Sequence, residues 1–150
     1  MRRETFLTGH FISKEDYISE ASMWKTLRTA LKPLDPIRVE NRVLAGTPDV
    51  NLAGGAWIEL KYVKRKPKNE EKIFVIPHYT PQQRLFSKRR ERAKGKTFVL
   101  IKIANEWILL QGGVAAIYLN KVSLTQLKKV AIKIWKKTVN PKEIQYYLTQ

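Results

Sequence analysis

The sequence predicts an α/β fold with a mixed central β-sheet flanked by helices, and three observations carry that expectation. Helical and strand-like patterns alternate along the chain, a glycine pair at Gly54-Gly55 marks a tight hairpin, and capping signals open new helices at Thr80-Pro81 and Ser123. A length of 150 residues suits one domain with a single core. Hydrophobic residues at 43% and aromatics at 10% supply a packed interior and exclude disorder across the chain.

From Ser13 to about Leu31 the spacing is helical: Tyr17, Trp24, Leu27 and Leu31 fall on one stripe, Ser13 can cap the start and Pro33 stops it. Glu20 lies on the same stripe. Ile37 to Arg42 alternates like a strand, Ala45-Gly46-Thr47-Pro48 turns the chain into Asp49-Val50-Asn51-Leu52, and the glycine pair returns it along Ala56 to Val63. These three strands form a meander. The charged stretch from Lys64 to Lys72 reads as a loop before an apolar strand at Ile73 to Ile76. Thr80-Pro81 then opens a helix to about Lys94, closed by Gly95. Thr97 to Ile103 is β-branched and apolar, Asn105-Glu106 a turn, and Trp107 to Leu110 its hairpin partner.

The tail reads as helical. Ser123 and Gln126 form a capping box ahead of Leu124, Leu127, Val130, Ile134 and Trp135, and Asn140-Pro141 with Glu143 caps a last helix through Tyr147. One domain therefore spans 1–150, with its core at about 12–110 and a basic helical C-terminal extension at about 120–150 that packs on the core or reaches for a partner.

Lysine and arginine number 29 against 13 acidic residues, a net charge of +16. Such an excess points first to a polyanion, because neutralising phosphates releases condensed counterions. An RNA binder or a membrane-surface protein would be equally basic. The absence of cysteine excludes disulfides and thiolate zinc sites, and two histidines, His10 and His78, cannot form a histidine-rich site. Any metal must sit on oxygen. No apolar stretch after Met-Arg-Arg-Glu matches a signal sequence or membrane span, so the expectation is an intracellular protein, in the cytoplasm or, for a viral protein, the host-cell cytoplasm, with no membrane partner.

Chemistry concentrates in Gly46-Thr47-Pro48-Asp49, nine further residues, and then Glu59-Leu60-Lys61. Alternate strand residues share a face, so Glu59 and Lys61 project together while Ile58 and Leu60 enter the core. The hairpin brings Asp49 alongside. Two carboxylates and an ammonium suit a hard divalent cation such as Mg²⁺, with Mn²⁺ expected to substitute, and Lys61 could orient an attacking water or stabilise charge at a phosphate. An isolated Glu-x-Lys is more often an ordinary surface pair; Pro-Asp upstream at this distance shifts that balance.

With Thr80-Pro81-Gln82-Gln83 opening the next helix, these motifs resemble the PD-(D/E)XK nuclease superfamily, and within it the VRR-Nuc and phage or archaeal Holliday junction resolvase-like branches, over roughly Ser19 to Leu110. The resemblance implies a restriction-endonuclease-like core, with Asp49 and Glu59 as metal ligands and Lys61 as the catalytic lysine. It further implies a glutamate on the first helix completing the metal shell, which Glu20 fits, and a glutamine near the scissile phosphate, which Gln83 fits. Glu40 competes with Glu20, although Arg38 and Arg42 on its strand face are its natural partners. Gln83 could equally complete a capping box with Thr80. Tyr79 and His78 are placed to touch DNA or to serve the fold.

Lys64, Arg65 and Lys66 in the loop, and Arg84, Lys88 and Arg89 on the helix anchored by Leu85 and Phe86, are the candidate DNA contacts. Lysines of the tail could serve DNA or a second subunit. The expected activity is metal-dependent hydrolysis of DNA phosphodiesters, structure-specific on branched DNA or Holliday junctions, or sequence-specific as in homing and restriction-like enzymes. A resolvase would act as a homodimer, for which Ala115 to Leu119 and the tail are candidate interfaces. The competing class is a non-catalytic DNA- or RNA-binding protein whose carboxylates are structural.

Overall fold

The computed structural model describes residues 4–7 and 10–150, with side chains from residue 19 onward. The side chains of His10, Ser13 and Tyr17 lie outside that range. A hairpin of β1 (Glu4–Leu7) and β2 (His10–Ser13) leads into α1 (Lys14–Ala30). The chain continues through β3 (Ile37–Arg38), β4 (Val50–Asn51), β5 (Trp57–Val63), α2 (Pro81–Arg92), β6 (Thr97–Ile103) and β7 (Glu106–Gln111). It ends with α3 (Gly112–Tyr118), α4 (Leu124–Val130), β8 (Lys133–Lys136) and α5 (Pro141–Leu148).

Strands β3 to β8 form one six-stranded sheet in sequence order. Only β5 and β6 run parallel, joined through α2; the other neighbours are antiparallel. The fold is thus α/β with a mixed sheet, as predicted. Its two faces alternate residue by residue. Ile58, Leu60, Phe98, Leu100, Trp107 and Leu109 meet Met23 and Leu27 of α1 and Ile144 and Leu148 of α5. The opposite side chains, Val99, Ile101, Ile103, Ile108 and Leu110, are covered by Ala115, Leu124 and Leu127 together with Phe74, Ile76 and Tyr79. Burial on both sides is why β6 reads as an unbroken apolar run.

Three expectations change. The strand expected over Ile37 to Arg42 stops at Arg38, because the Asn41 side chain accepts the N–H groups of Val43 and Leu44 and bends the chain away. Ile73 to Ile76 does alternate, with Phe74 and Ile76 buried and Ile73 and Val75 exposed, but its partners are a loop: Phe74 N–H donates to the Val122 carbonyl and Ile76 N–H to Asn120 Oδ1. The tail is helical where Ser123 caps α4 and Asn140 caps α5, as expected, but not between them. Helix α4 ends at Val130, and Ile134 and Trp135 enter β8, which pairs with β7 and places Trp135 in the core. A short helical stripe had run by chance into a strand of lysine, isoleucine and tryptophan, whose β-propensity prevails once β7 offers an edge.

Glu106, expected in a turn, opens β7 and is buried against Lys66 and Lys128. The hydrogen bond from Lys66 chiefly holds its carboxyl below the usual range; burial opposes this and Lys128 assists. A depressed folded value gives stability present above the unfolded value and lost as pH falls through the folded one. Glu106→Gln is therefore expected to lower stability at pH 7 by about 1–3 kcal/mol and to flatten the acid side of the stability profile. Urea unfolding at neutral and acid pH reads both effects.

Candidate active site

Strand β4 stops pairing with β5 at Val50 opposite Ile58, so the next β5 amides need another acceptor. Asp49 supplies it: Oδ2 accepts the Leu60 N–H at 2.8 Å. The carboxylate is thereby fastened beside Glu59, the residue next in register. The turn before it is pinned to α2. Gly46 has φ +86°, and a Cβ there would lie 2.5 Å from the Gln82 carbonyl carbon and oxygen. Gly46→Ala is accordingly expected to destabilise by about 1–2 kcal/mol from the left-handed backbone alone, with the clash adding to that, as a lower thermal midpoint would show.

Glu59 and Lys61 share one face of β5 as expected, opposite Ile58 and Leu60, and are 6% and 4% exposed. Lys61 Nζ donates to the His78 carbonyl at 2.7 Å and lies 3.3 Å from Glu59 Oε1. His78 reaches this position with φ 66°, an uncommon conformation for a side-chain-bearing residue. Gln83 completes the capping box considered for it and also reaches Glu59. Its Oε1 accepts the Thr80 N–H at 3.0 Å, completing the capping box, while Nε2 donates to Glu59 Oε1 at 2.9 Å.

These contacts use only one oxygen of Glu59. Its Oε2 is shielded from solvent and has no hydrogen-bond partner. Burial pushes the carboxyl well above its ordinary pKa, the Asp49 charge adds to the rise, Lys61 opposes it and Glu20 raises it further. Glu20 thus belongs to the same electrostatic cluster, with Oε2 3.9 Å from Arg38 Nη2, which is 3.8 Å from Asp49 Oδ1. Arg38 joins the site unforeseen, because its expected partner was Glu40; that residue is exposed beyond the end of β3. Tyr79 borders the cluster, its ring centroid 6.0 Å from Lys61 Nζ.

Among the described residues no three His, Cys, Asp or Glu side chains form a group that could hold a metal ion. The donors present nonetheless fit a hard divalent cation. Asp49 and Glu59 offer oxygens, Glu59 Oε2 is an orphaned acceptor, and Mg²⁺ is commonly held by one or two carboxylates with water completing its shell. Glu20, Asp49 and Glu59 share one electrostatic cluster with Arg38 and Lys61, and a cation among these carboxyls would favour the ionised form of Glu59 that burial opposes.

No protein-family model matches this chain, and no curated protein or solved structure matches it significantly.

The basic residues divide. Lys64, Arg65, Lys88 and Arg89 are exposed. Lys66, also expected to contact DNA, is exposed as well and pairs with Glu106. Arg84 is corrected: its Nη1 and Nη2 donate to the Ala116 and Leu119 carbonyls at 2.7 and 2.6 Å, closing the end of α3. On α2, Phe86 is the anchor and Leu85 is exposed. In the segment considered for an interface, Ala115 and Leu119 are buried against the sheet, and Ile117 and Tyr118 face outward. Among the described residues no helix is long and apolar enough to cross a membrane.

Proposed function

We propose that this protein is a divalent-cation-dependent DNA endonuclease of the PD-(D/E)XK type, hydrolysing phosphodiester bonds at Asp49, Glu59 and Lys61. The observation that carries the proposal is Glu59 Oε2, a buried carboxylate oxygen with no hydrogen-bond partner, set among two further carboxylates and a seated lysine. A solely structural glutamate in such a place would leave an uncompensated desolvation cost.

The chain's own residues supply most of the arrangement. Asp49 is held by the Leu60 amide, and Glu59 is fixed in orientation by Gln83. Lys61 is seated by the His78 carbonyl and Glu59 and keeps one donor for an attacking water or a nonbridging phosphate oxygen. Hydrolysis joins the water oxygen to phosphorus as the bond to the leaving oxygen breaks, and fixed positive charge opposite that centre lowers the barrier. A divalent cation at Asp49 and Glu59 would add Lewis acidity and neutralise charge on the phosphate. The net charge of +16 and the exposed Lys64, Arg65, Lys88 and Arg89 support a DNA substrate held largely through its backbone.

The test incubates purified protein with supercoiled plasmid and with a labelled four-way junction, in Mg²⁺ or in EDTA. Cutting in Mg²⁺ alone is expected, and a preference between substrates separates the branched-DNA reading from the duplex one. Tight binding with no cutting of either substrate, under Mg²⁺ and Mn²⁺, would favour the non-catalytic binder.

A further inference from the structure

Arginines in this fold differ in how completely their donors are engaged. Arg84 has both terminal nitrogens in short hydrogen bonds to carbonyls, which defines a structural role. Arg38 is different. Its Nη1 is buried and has no hydrogen-bond partner, while Nη2 stands 3.8 Å from Asp49 and 3.9 Å from Glu20, beyond hydrogen-bonding distance. Unpartnered buried donors are rare, and each calls for an explanation.

The position sharpens the point. Among the described residues the buried side-chain atoms without partners are Arg38 Nη1, Glu59 Oε2 and Tyr79 OH. Each belongs to the cluster around Asp49 and Lys61. One is an acceptor suited to a cation, and Arg38 contributes a cationic donor suited to an anion. The Arg38 side chain is 22% exposed and that of Asp49 20%, so this flank of the cluster opens to solvent while Glu59 and Lys61 stay covered.

We infer that Arg38 is a phosphate-binding residue, its planar guanidinium held beside Asp49 by two carboxylates so that unengaged N–H donors meet a nonbridging oxygen of the nucleic-acid backbone. The inference rests on the nucleic-acid reading above and names the residue that receives the anion. A guanidinium suits that role because its donors lie in a fixed fork matching phosphate geometry, and its charge persists at every working pH. Glu20 and Asp49 orient the fork without using Nη1.

The experiment measures binding of a short duplex oligonucleotide in EDTA, where no cutting interferes, across a range of salt. Wild type is compared with Arg38→Met, Arg38→Lys and, as a structural control, Arg84→Met, each also followed by thermal unfolding. Arg38→Met is expected to weaken binding about 10–100-fold, as for loss of a charge-assisted hydrogen bond. It should also reduce the slope of log K against log salt by about 0.9, one phosphate contact fewer. Arg38→Lys keeps the slope and loses affinity, since an ammonium retains the charge without the fork. Arg84→Met lowers the melting temperature and leaves the slope unchanged.

Wild-type affinity and slope in folded Arg38→Met would overturn the inference while leaving the nuclease proposal intact. Should Arg38→Met fail to fold, Arg38→Lys with wild-type affinity overturns it equally. If the Arg38 effects appear but wild type never cuts with Mg²⁺ or Mn²⁺, the phosphate contact stands and catalysis falls. Absence of wild-type binding to both the duplex and the four-way junction overturns both.

Discussion

Lys61→Ala and Asp49→Asn are each expected to reduce Mg²⁺-dependent cleavage by at least about 10²–10³-fold, the scale of removing one preorganised transition-state contact, while duplex binding persists. Asp49→Asn is the more informative change at its position. An asparagine oxygen can still accept the Leu60 N–H that Asp49 takes at 2.8 Å, so the strand end survives and only the charge is lost. Lys61→Ala removes the donor to the His78 carbonyl and the partner of Glu59, so its folding must be followed by circular dichroism alongside the gel assay. Cleavage at wild-type rate in either folded variant would mean that the wrong residues have been assigned. Loss of binding together with cleavage would point to a disrupted fold.

The second large effect is on stability. Mg²⁺ at a hundredfold excess over its dissociation constant is expected to stabilise the protein by about 2.7 kcal/mol, a rise in melting temperature of about 5–10 °C for a chain of this size. Glu59→Gln should abolish that rise. It should also stabilise the metal-free protein, because it leaves two carboxylates, Glu20 and Asp49, facing Arg38 and Lys61. The pH dependence carries the same sign. Glu59 is raised in the folded state, first by burial and then by Asp49, so its contribution to stability is present below the unfolded value and fades as pH rises through the folded one. Metal-free wild type should lose stability over that rise, and Glu59→Gln should not. Calorimetry with and without Mg²⁺, repeated across pH, measures these effects; a Mg²⁺ response that survives Glu59→Gln would place the cation elsewhere.

Much of this arrangement is legible in the sequence. The meander around Gly54-Gly55, the helix capped at Thr80 and the shared face of Glu59 and Lys61 follow from local rules acting over a few residues. The misreadings arose where distant partners decide. Lys133 to Lys136 became a strand because β7, far back in the chain, presented an edge. Arg84 turned inward because the end of α3 presented two carbonyls, and Lys66 pairs with Glu106, buried within reach. Arg38 was assigned to Glu40 by strand alternation, and the bend set by Asn41 freed it for Asp49 and Glu20. Sequence spacing describes which neighbours a residue has along an element; it carries no information on which element arrives opposite.

Gln83 caps the start of α2 and orients one carboxylate with the same amide group, its oxygen on the Thr80 amide and its nitrogen on Glu59. The start of α2 and the setting of Glu59 are therefore tied through one side chain, across 24 residues of sequence. Displacing the start of α2 would therefore strip Glu59 of the amide donor that fixes one of its two oxygens.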